Sequence, residues 1–546
     1  MLYVMPFLLA MVVTMAWIPV FGRYAAKWGI VDRPGARKVH AAPIPRVGGI
    51  AMTLGVLVAA FIVIPLGPAD QYFLTAVGVL TLFGAMDDRF DLDYRIKLAG
   101  QLMAVLIVVL GGDIQIHSIT LDERLMVPVW VTIPLTVFFL IGITNAVNLA
   151  DGLDGLAGGS TLLCLGALAL LAHGSGQVIC AALAMAFAGA VLGFLRFNTF
   201  PASVFMGDAG SQVLGFAVGV LSLRATQSGD SAVSAAIPIL LLALPILDTL
   251  SVMVQRVSEG RSPFSADKNH IHHKLLKLVF DHHEAVMVIY AVQADLFLLA
   301  YWLRFESDLT ILAVVSVFFV GAIAILQVAT RHGWRLREPL GTRRQSPLSR
   351  VLATLSEPQY LPRWSYLAVA LAVGCYAALI LAETASVSPD VQILVMGLLA
   401  VSIVLLAVLR LKPLNILEKA ALYVTTAVLV YLDTMMQPDN RLFGVLEWAA
   451  VGLAALGTVV RLRLSPDRRF VMTPLDLIVL FLALVVPSLP GIFTMPDGGA
   501  SGIAKLVIFF YAIEVLVSRV EMGVVWLRIA VAALLAVLTL RPLMSL

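Results

Sequence analysis

Charged residues and cysteines are both scarce in this chain of 546 residues. Only 13% of the residues are charged, whereas 60% are hydrophobic, and the mean hydropathy is +0.96. This composition excludes an ordinary soluble globular protein. The formal net charge of +3 is too small to indicate a nucleic-acid partner. The three cysteines, Cys164, Cys180 and Cys375, lie within apolar runs and indicate neither a disulfide framework nor a metal site.

Long apolar runs fill most of the chain, and a helix needs about 20 such residues to cross a bilayer. They predict an all-α polytopic integral membrane protein. The first run lacks a basic leader and a clear cleavage site, so we expect a retained span. About eleven spans are expected at residues 2–21, 47–66, 71–86, 96–111, 128–147, 155–173, 178–195, 210–224, 235–254, 285–304 and 309–330, and about seven more at 365–383, 391–409, 420–434, 443–460, 475–489, 503–518 and 522–540.

Basic residues gather on one side of these spans. They concentrate in residues 22–46, 255–284, 331–363 and 461–469, whereas the opposite loops are short or acidic. The positive-inside rule therefore predicts cytoplasmic basic loops and an external N-terminus. On this topology the polar motifs around Arg46, Asp87, Asn148, Asp208 and His270, described below, all fall on the cytoplasmic side.

The arginine-rich stretch 331–363 is the clearest boundary in the sequence. We therefore expect a membrane core at 1–330, a basic cytoplasmic linker at 331–363, and a multi-span domain of unknown function at 364–546. Residues 112–127 alternate between apolar and polar and predict a short hairpin on the outer face. The spacing Gly189-x-x-x-Gly193 indicates close helix packing.

An acidic pair, Asp87 and Asp88, follows one apolar span and precedes another. Adjacent side chains on a helix diverge by about 100°, so one carboxylate can face a site while the other supports it. Two close carboxylates suit Mg²⁺ binding or a raised pKa, although a polar helix end facing water is an equal alternative. Lys97 begins the next span, where it either reaches the lipid headgroups or neutralises a phosphate.

Amides and carboxylates recur every three residues at the end of a later span. Asn145, Asn148, Asp151 and Asp154 would share one face if this stretch were helical, and the glycines that follow would end or bend the helix. Hard oxygen ligands of this kind suit Mg²⁺. The alternative is a turn that caps the next helix.

Two further motifs add a carboxylate and a group of imidazoles. Asp208 precedes an apolar span and either caps that helix or presents its carboxylate to a metal. His270, His272 and His273 lie in a basic loop without cysteine or a helical zinc spacing, so they indicate hydrogen bonds to phosphate more than a transition metal.

Taken together, these motifs resemble those of the polyprenyl-phosphate N-acetylhexosamine-1-phosphate transferases. The resemblance covers about residues 1–330 in the family's motif order, and members have eleven spans there. Residues 267–273, Asp-Lys-Asn-His-Ile-His-His, look like the GlcNAc-1-phosphate branch. The muramoyl-pentapeptide branch has three consecutive histidines followed by an acid, which this chain lacks. Typical members end near residue 330, so the resemblance assigns nothing to the later spans.

The resemblance implies a phosphoryl-transfer reaction. An undecaprenyl or similar polyprenyl phosphate would attack the β-phosphorus of a UDP-N-acetylhexosamine, giving polyprenyl-diphospho-sugar and UMP. This is an initiating step for cell-envelope polysaccharides such as lipopolysaccharide or exopolysaccharide. GlcNAc is the expected sugar, with GalNAc and deoxy-amino sugars left open. Mg²⁺, with Mn²⁺ as a substitute, would bridge the diphosphate, and both direct attack and a covalent aspartate intermediate stay open.

The resemblance also implies roles by motif position. Asp208 and Asn148 would be the Mg²⁺ ligands. Asp87 would deprotonate or orient the lipid phosphate with Asp88 beside it, and Lys97 would hold phosphate oxygens. Substrate binding is assigned to Asn145, Asp151, Asp154, His270, His272, His273, Lys38, His40 and Arg46.

The expected partners are the nucleotide-sugar, the polyprenyl phosphate and the bilayer, with no nucleic acid. A homodimer, or association with downstream glycosyltransferases, is compatible with this scheme. The expected location is the bacterial cytoplasmic membrane, with the active site on its cytoplasmic face. The alternative is a membrane transporter or a flippase for lipid-linked sugars. Such a protein would place ionisable groups near mid-membrane and often has repeated halves, neither of which is visible here.

Overall fold

The structure is a computed structural model that is almost entirely helical, which confirms the predicted all-α polytopic membrane class. Ten of the described helices are long and apolar enough to cross a membrane, eight before residue 332 and two after it. The structure describes residues 3–33, 43–121, 123–228, 231–262, 270–278 and 282–332, and, further on, 360–383, 392, 395–397, 399–400, 416–435, 441–464, 474, 477–478, 481, 499–517 and 524–544.

The chain divides into two compact units. The N-terminal unit is Met1–Pro339 with Thr473–Ile478, and the C-terminal unit is Leu340–Met472 with Val479–Leu546. The helices of the N-terminal unit are α1 (Val4–Trp28), α2 (Gly48–Val63), α3 (Pro68–Phe90), α4 (Tyr94–Leu106, continued by a π-helical turn Ile107–Gly111), α5 (Val129–Ala150), α6 (Leu156–Gly174), α7 (Val178–Asn198), α8 (Asp208–Gln227), α9 (Ile237–Leu241), α10 (Ala243–Ser258), α11 (Ile271–Lys277), α12 (His282–Trp302) and α13 (Asp308–Arg331).

Helix α8 lies at the centre of this unit, where it packs against α2, α3, α5, α6 and α7. Nearly all of its residues are buried, although it begins with an aspartate and contains several polar side chains. A helix surrounded by other helices does not need a uniformly apolar surface, because neighbouring side chains satisfy its polar groups. The polar motifs of the surrounding helices are thereby brought to the start of α8.

One predicted span, residues 235–254, is two helices instead, with α9 ending before Leu242 and α10 starting after it. Pro245 has no N–H to donate to the carbonyl of Leu241, four residues earlier, so a continuous helix would leave that oxygen unpaired. The side-chain amide of Gln293 on α12 donates to it at 2.8 Å instead. The break is therefore stabilised by tertiary contacts that the hydropathy pattern does not contain.

Two short antiparallel strand pairs complete the unit. β3 (Ser118–Thr120) pairs with β4 (Arg124–Met126), which confirms the predicted hairpin. β1 (Val31–Asp32) and β2 (Ile44–Pro45) form a second ladder that the sequence did not indicate. The predicted close packing at Gly189 is also confirmed, because a Cβ there would lie 2.0 Å from the carbonyl oxygen of Phe7 on α1.

The described helices of the C-terminal unit are α14 (Tyr360–Glu383), α15 (Ile416–Met435), α16 (Arg441–Leu464), α17 (Gly499–Val517) and α18 (Val524–Met544). They correspond to five of the seven predicted spans, and the other two, 391–409 and 475–489, lie mostly outside the described residues. α14 packs against α16, and α17 packs against α14, α15 and α16. Their shared core contains large side chains such as Tyr376, Phe443 and Phe509.

Candidate functional site

Three charged side chains meet at one end of the N-terminal unit. The Nζ atom of Lys97 lies 2.6 Å from Oδ2 of Asp87 and 3.7 Å from Oδ2 of Asp208. Asp87 is in the last turn of α3, Lys97 is one turn into α4, and Asp208 is the first residue of α8. The Lys97 ammonium thus links two carboxylates from separate helices.

The short connection between α3 and α4 fixes this geometry. Asp91 adopts a left-handed conformation with φ of 51°, and its N–H donates to the carbonyl of Asp87 at 2.8 Å. The N–H of Leu92 donates to Oδ1 of Asp87, also at 2.8 Å. Asp93 then caps α4 by accepting from the N–H of Arg95. One carboxylate oxygen of Asp87 is therefore held by the backbone while the other meets Lys97.

Asp88 has a different role from its neighbour. Its carboxylate accepts from the N–H of Asp208 at 3.0 Å and from the N–H of Ala209 at 3.1 Å. It therefore caps α8, as an anion at a helix N-terminus does. Asp208 is not the cap, and the first N–H groups of α8 are already occupied by a carboxylate. The site thus presents the Asp208 side chain, which is 27% exposed, instead of free backbone donors.

Close backbone contact around the start of α8 depends on glycine. A Cβ on Gly49 would lie 2.1 Å from the nitrogen of Gly210, and one on Gly84 would lie 2.4 Å from the Cα of Ala209. The N–H of Gly49 also donates to the carbonyl of Met206 at 2.9 Å. Helices α2 and α3 therefore touch the backbone of α8 directly, which places the acidic pair within reach of Asp208.

The two asparagine side chains near the end of α5 have different partners, one beside the site and one in a buried network. Oδ1 of Asn148 accepts from the hydroxyl of Ser211 on α8 at 2.7 Å. Asn145 lies one turn earlier and exchanges hydrogen bonds with the amide of Gln101, which also donates to Gln212 at 3.1 Å. This network joins α4, α5 and α8. Neither glutamine was predicted to have a role, although an amide inside an apolar run was a usable signal.

Asp151 and Asp154 lie beyond the end of α5, where the chain leaves the helix. Burial, followed by the negative charges of Asp208 and Asp154, raises the pKa of Asp151 to about 7. Oδ2 of Asp154 accepts from the N–H of Ala202 at 2.9 Å. Asp154 therefore positions the loop that precedes α8.

An aromatic cluster borders the same loop. The ring of Phe200 stacks on His282 with a centroid separation of 4.3 Å, and the ring of His283 meets it edge-on at 5.0 Å. Asn198 links this loop to the motif of α5, meaning the polar residues 145–155 at and just after the end of that helix. Its Oδ1 accepts from the N–H of Gly155 at 2.9 Å, and its Nδ2 donates to the carbonyl of Val204. None of these residues was predicted from the sequence to belong to the site.

The histidine loop is fixed by an acid on α10. Oδ2 of Asp248 lies 2.9 Å from Nδ1 of His270, and its Oδ1 accepts from the N–H of Ile271 at 2.6 Å. Asp248 and His270 are both buried. The two carboxylate oxygens of Asp248 thus hold the imidazole of His270 and cap α11, respectively. Asp248 was not predicted from the sequence to have a role, although a lone acid inside an apolar run was the signal.

His272 and His273 continue this cluster. The rings of His270 and His272 are parallel at 5.6 Å, and His273 lies 4.3 Å from His272. Burial, followed by the neighbouring His273, lowers the pKa of His272 to about 4, so its ring is neutral at pH 7. A Cβ on Gly152 would lie 2.3 Å from Nε2 of His272. This contact brings the histidine loop against the motif of α5.

Lys38, His40 and Arg46, which were assigned to substrate binding, make up a predicted cationic patch, and Arg46 is the member that the structure describes. It forms an ion pair with Asp32, and its second guanidinium nitrogen lies 3.8 Å from Oδ1 of Asp88. Lys38 and His40 lie outside the described residues. The structure therefore connects the patch to the site through Arg46 and Asp88.

The donor set is compatible with Mg²⁺. Asp208 and Asn148 lie at the meeting point of α5 and α8 and offer hard oxygen atoms, as does nearby Asp87. Among the described residues, no group of three or more His, Cys, Asp or Glu side chains could by itself enclose a metal ion. Mg²⁺ keeps several waters and binds through one or two carboxylates plus phosphate, so an incomplete protein cage suits it.

A cleft of about 420 Å³ lies near the histidine loop, between α10, α11 and α13. Its walls are mainly apolar, whereas Lys274 and several uncharged polar groups line the rest. The lining residues include Leu247, Leu250, Val254, Lys274, Phe319 and Ile323. Such a cleft combines an apolar body with a cationic group.

Fold and site together define a polytopic helical membrane protein with a lysine-linked acidic centre beside a histidine loop. The sequence profile described as glycosyl transferase family 4 matches residues 71–226. The chain belongs to this family, because relatives at least 30% identical are matched over most of their length.

Three relatives illustrate the similarity. A probable undecaprenyl-phosphate N-acetylglucosaminyl 1-phosphate transferase of Bacillus subtilis is 37% identical over 296 residues, which cover 53% of this chain and 81% of the relative. The undecaprenyl-phosphate alpha-N-acetylglucosaminyl 1-phosphate transferase of Yersinia pestis is 30% identical, covering 59% and 90%. The decaprenyl-phosphate N-acetylglucosaminephosphotransferase of Mycobacterium leprae is 35% identical, covering 52% and 79%.

Proposed function

We propose that this protein transfers GlcNAc-1-phosphate from UDP-GlcNAc to a polyprenyl phosphate. An oxygen of the lipid phosphate attacks the β-phosphorus of the nucleotide-sugar. The bond from that phosphorus to the bridging oxygen breaks, and UMP leaves. The printed activities of the relatives support this reaction. The observation that carries it here is the contact of Lys97 with both Asp87 and Asp208 at the start of α8.

The acidic centre supports phosphoryl transfer through charge. Asp208 and Asn148 would hold Mg²⁺, which would neutralise charge on the diphosphate when bound. Lys97 supplies a fixed cation that can contact phosphate oxygens without moving far, because it already links two helices. Asp87 would orient the lipid phosphate. That phosphate is already anionic at neutral pH, so the demand on Asp87 as a base is modest.

The histidine side of the site would bind the nucleotide-sugar. His270, His272 and His273 would donate hydrogen bonds to the diphosphate, since the structure gathers them beside the motif of α5. Asp151 and Asp154 border the same space, and Asp154 orders the loop around Ala202. A neutral imidazole still offers one N–H donor, so the low pKa of His272 is compatible with this role.

The acceptor would approach from the bilayer. The cleft between α10, α11 and α13 suits an isoprenoid chain along its apolar walls, and the side chain of Lys274 places a positive charge in its lining. This fits a substrate with one long apolar tail and one charged phosphate.

We assign the site to the cytoplasmic face of a bacterial cytoplasmic membrane. Basic residues follow the ends of α1, α10 and α13 on the side of the site, as the positive-inside rule requires of cytoplasmic loops. Arg224, at the opposite end, is neutralised by Asp70. The transporter or flippase alternative is not favoured, since the relatives are transferases and the ionisable centre of this unit gathers at one end of the helices.

The test is UMP release by the purified full-length protein in detergent. Undecaprenyl phosphate and Mg²⁺ are supplied with a panel of UDP-sugars, each with and without EDTA. We expect UMP only with the lipid, with UDP-GlcNAc as the best donor, and loss of the activity in EDTA. UMP from another donor would correct the sugar, and no UMP from any donor in folded protein would contradict the reaction.

A further inference from the structure

Ionisable side chains also meet inside the C-terminal unit, far along the chain from the proposed site. Lys505 on α17 forms ion pairs with Asp433 on α15, at 2.7 Å, and with Glu447 on α16. The hydroxyl of Tyr376 on α14 donates to the same oxygen of Asp433 at 3.1 Å. Four helices therefore contribute to one polar cluster, and Asp433, Glu447 and Lys505 are its charged triad.

The triad is buried among apolar side chains. Asp433, Glu447 and Lys505 are each 6% exposed. The ring of Trp448 lies 5.2 Å from Nζ of Lys505, and Tyr376 stacks near Phe509. Ionised groups in such surroundings are costly unless their charges balance.

The charges of the triad do not balance if all three groups are ionised. Two carboxylates against one ammonium leave one net negative charge. The carboxyl groups of Asp433 and Glu447 lie close together, because both contact the same Nζ atom of Lys505. Two carboxyl groups this close favour a state in which one proton is shared between them. The ion pair of the buried Asp70 with the partly exposed Arg224 in the N-terminal unit, by contrast, is balanced one to one.

The position of the triad decides which side supplies the proton. Asp433 lies in the last turn of α15, whereas Glu447 and Lys505 lie in the second turn of α16 and α17. All three are therefore near the same end of these helices, roughly 9 Å from the starts of α16 and α17 at 1.5 Å per residue. The last turn of α16 contains Arg461 and Arg463, which begin the basic stretch of the sequence that the positive-inside rule assigns to the cytoplasm.

We propose that Asp433, Glu447 and Lys505 form a proton-binding site that holds one exchangeable proton between two carboxyl groups near the non-cytoplasmic end of α15–α17. A proton suits the site better than a metal cation, because the Lys505 ammonium and the Tyr376 hydroxyl already direct hydrogen atoms at these oxygens. Its release to water leaves a net charge among α14, α15, α16 and α17. The packing of these helices then depends on the pH of the non-cytoplasmic side, which gives the C-terminal unit a function of its own.

The direct test is infrared spectroscopy of the full-length protein, in which a protonated carboxyl group has its own C=O band. We expect part of this band at neutral pH to be lost in both Asp433→Asn and Glu447→Gln. The control is Glu383→Gln, an exposed acid at the end of α14, which should leave the band unchanged. A band insensitive to both triad variants would show that the two acids are fully ionised and would overturn the proposal.

A second measurement covers variants that fail to fold. Tyr376→Phe keeps both acids and removes one donor to Asp433, so it should shift the pH at which the triad's band is lost. Thermal stability of the wild type should fall as pH rises through that titration, because proton loss leaves a buried charge. The titration should not change when sodium chloride replaces choline chloride. Sodium dependence would instead identify a cation site, and an unshifted titration in Tyr376→Phe would contradict the assignment.

Discussion

At the residue scale, the site depends on carboxylates with different partners. Asp87 meets a lysine, Asp88 caps a helix, and Asp208 keeps part of its surface exposed. Chemically identical side chains therefore have separate tasks, set by which helix end or cation each one meets.

Asp208→Asn should abolish UMP release while leaving the protein folded and inserted. The substitution keeps the shape and the helix start but removes the charge that would hold Mg²⁺ and face Lys97. We expect a loss of at least about 100-fold, as for the removal of a charged group from a transition-state site. UMP release is measured, and a thermal unfolding profile of the same protein shows that it is folded. Near-normal activity would show that Asp208 is not part of the site.

Asp248→Asn should weaken the use of UDP-GlcNAc without unfolding the protein. Asparagine can still accept from the N–H of Ile271, but its amide would face Nδ1 of His270 and favour the opposite tautomer. We expect KM for the nucleotide-sugar to rise by about 10- to 100-fold, which is the worth of a charge-assisted hydrogen bond. Asp248→Ala, which also loses the cap of α11, should be worse.

The matched control for this variant is Asp308→Asn. Asp308 is also a buried acid, and it accepts from the N–H of Ala236 at 2.8 Å on the opposite side of the unit. It should change stability without changing KM or the pH profile of the reaction. Equal changes in KM for the two variants would indicate a purely structural role for Asp248.

His272 should make the fold sensitive to acid. Its pKa in the folded protein is about 4, compared with about 6.5 in an unfolded chain, so the unfolded state binds more protons between these values. The stability it contributes is present above about pH 6.5 and is lost as the pH falls toward 4, on the order of 2 kcal/mol between pH 7 and 5. Thermal unfolding of His272→Gln should depend less on pH over this range, and an equal slope would contradict the assignment.

At the scale of helices, the site depends on how closely α2 and α3 approach α8. Gly84→Ala should lower both stability and activity, because its Cβ would lie 2.4 Å from the backbone of Ala209 and the helices must separate. Gly49→Ala should do the same. We expect activity to fall by more than about 10-fold, since the site needs positions held within about 0.5 Å.

Gly78→Ala is the control in the same helix as Gly84. A Cβ on Gly78 meets no atom within 4 Å, so the change should leave activity intact and stabilise α3 by up to about 1 kcal/mol. UMP release and thermal unfolding are measured for all three variants. If Gly84→Ala behaved like Gly78→Ala, the close approach would not be needed for the site.

At the scale of the whole molecule, the chain consists of two compact units, and every described residue of the proposed transferase site lies in the first. A truncation near Arg344 should therefore still release UMP from UDP-GlcNAc and undecaprenyl phosphate, within about 10-fold of the full chain. The truncated protein must first be shown to be folded and inserted. Loss of activity in such protein would show that the two units are coupled in catalysis.

Much of the architecture was predictable because it follows from local composition. Apolar runs predicted the helical membrane class, alternation over residues 112–127 predicted the hairpin now found at 118–126, and the spacing of Gly189 and Gly193 predicted the close packing now found against α1. The division of 235–254 into α9 and α10 was not predictable from hydropathy, because it depends on a carbonyl that Gln293 of a distant helix satisfies.

The sequence by itself determined which residues are available for chemistry, because carboxylates and amides clustered at the end of an apolar run are costly in a membrane protein unless they bind something. Only the tertiary structure decided what each one touches. Asp88 and Asp208 are far apart in the chain, yet one caps the helix that the other begins. Asp248 came to notice only through its contact with His270. Local pattern indicates which segments are apolar spans, whereas hydrogen bonds and ion pairs between distant segments depend on how the helices pack.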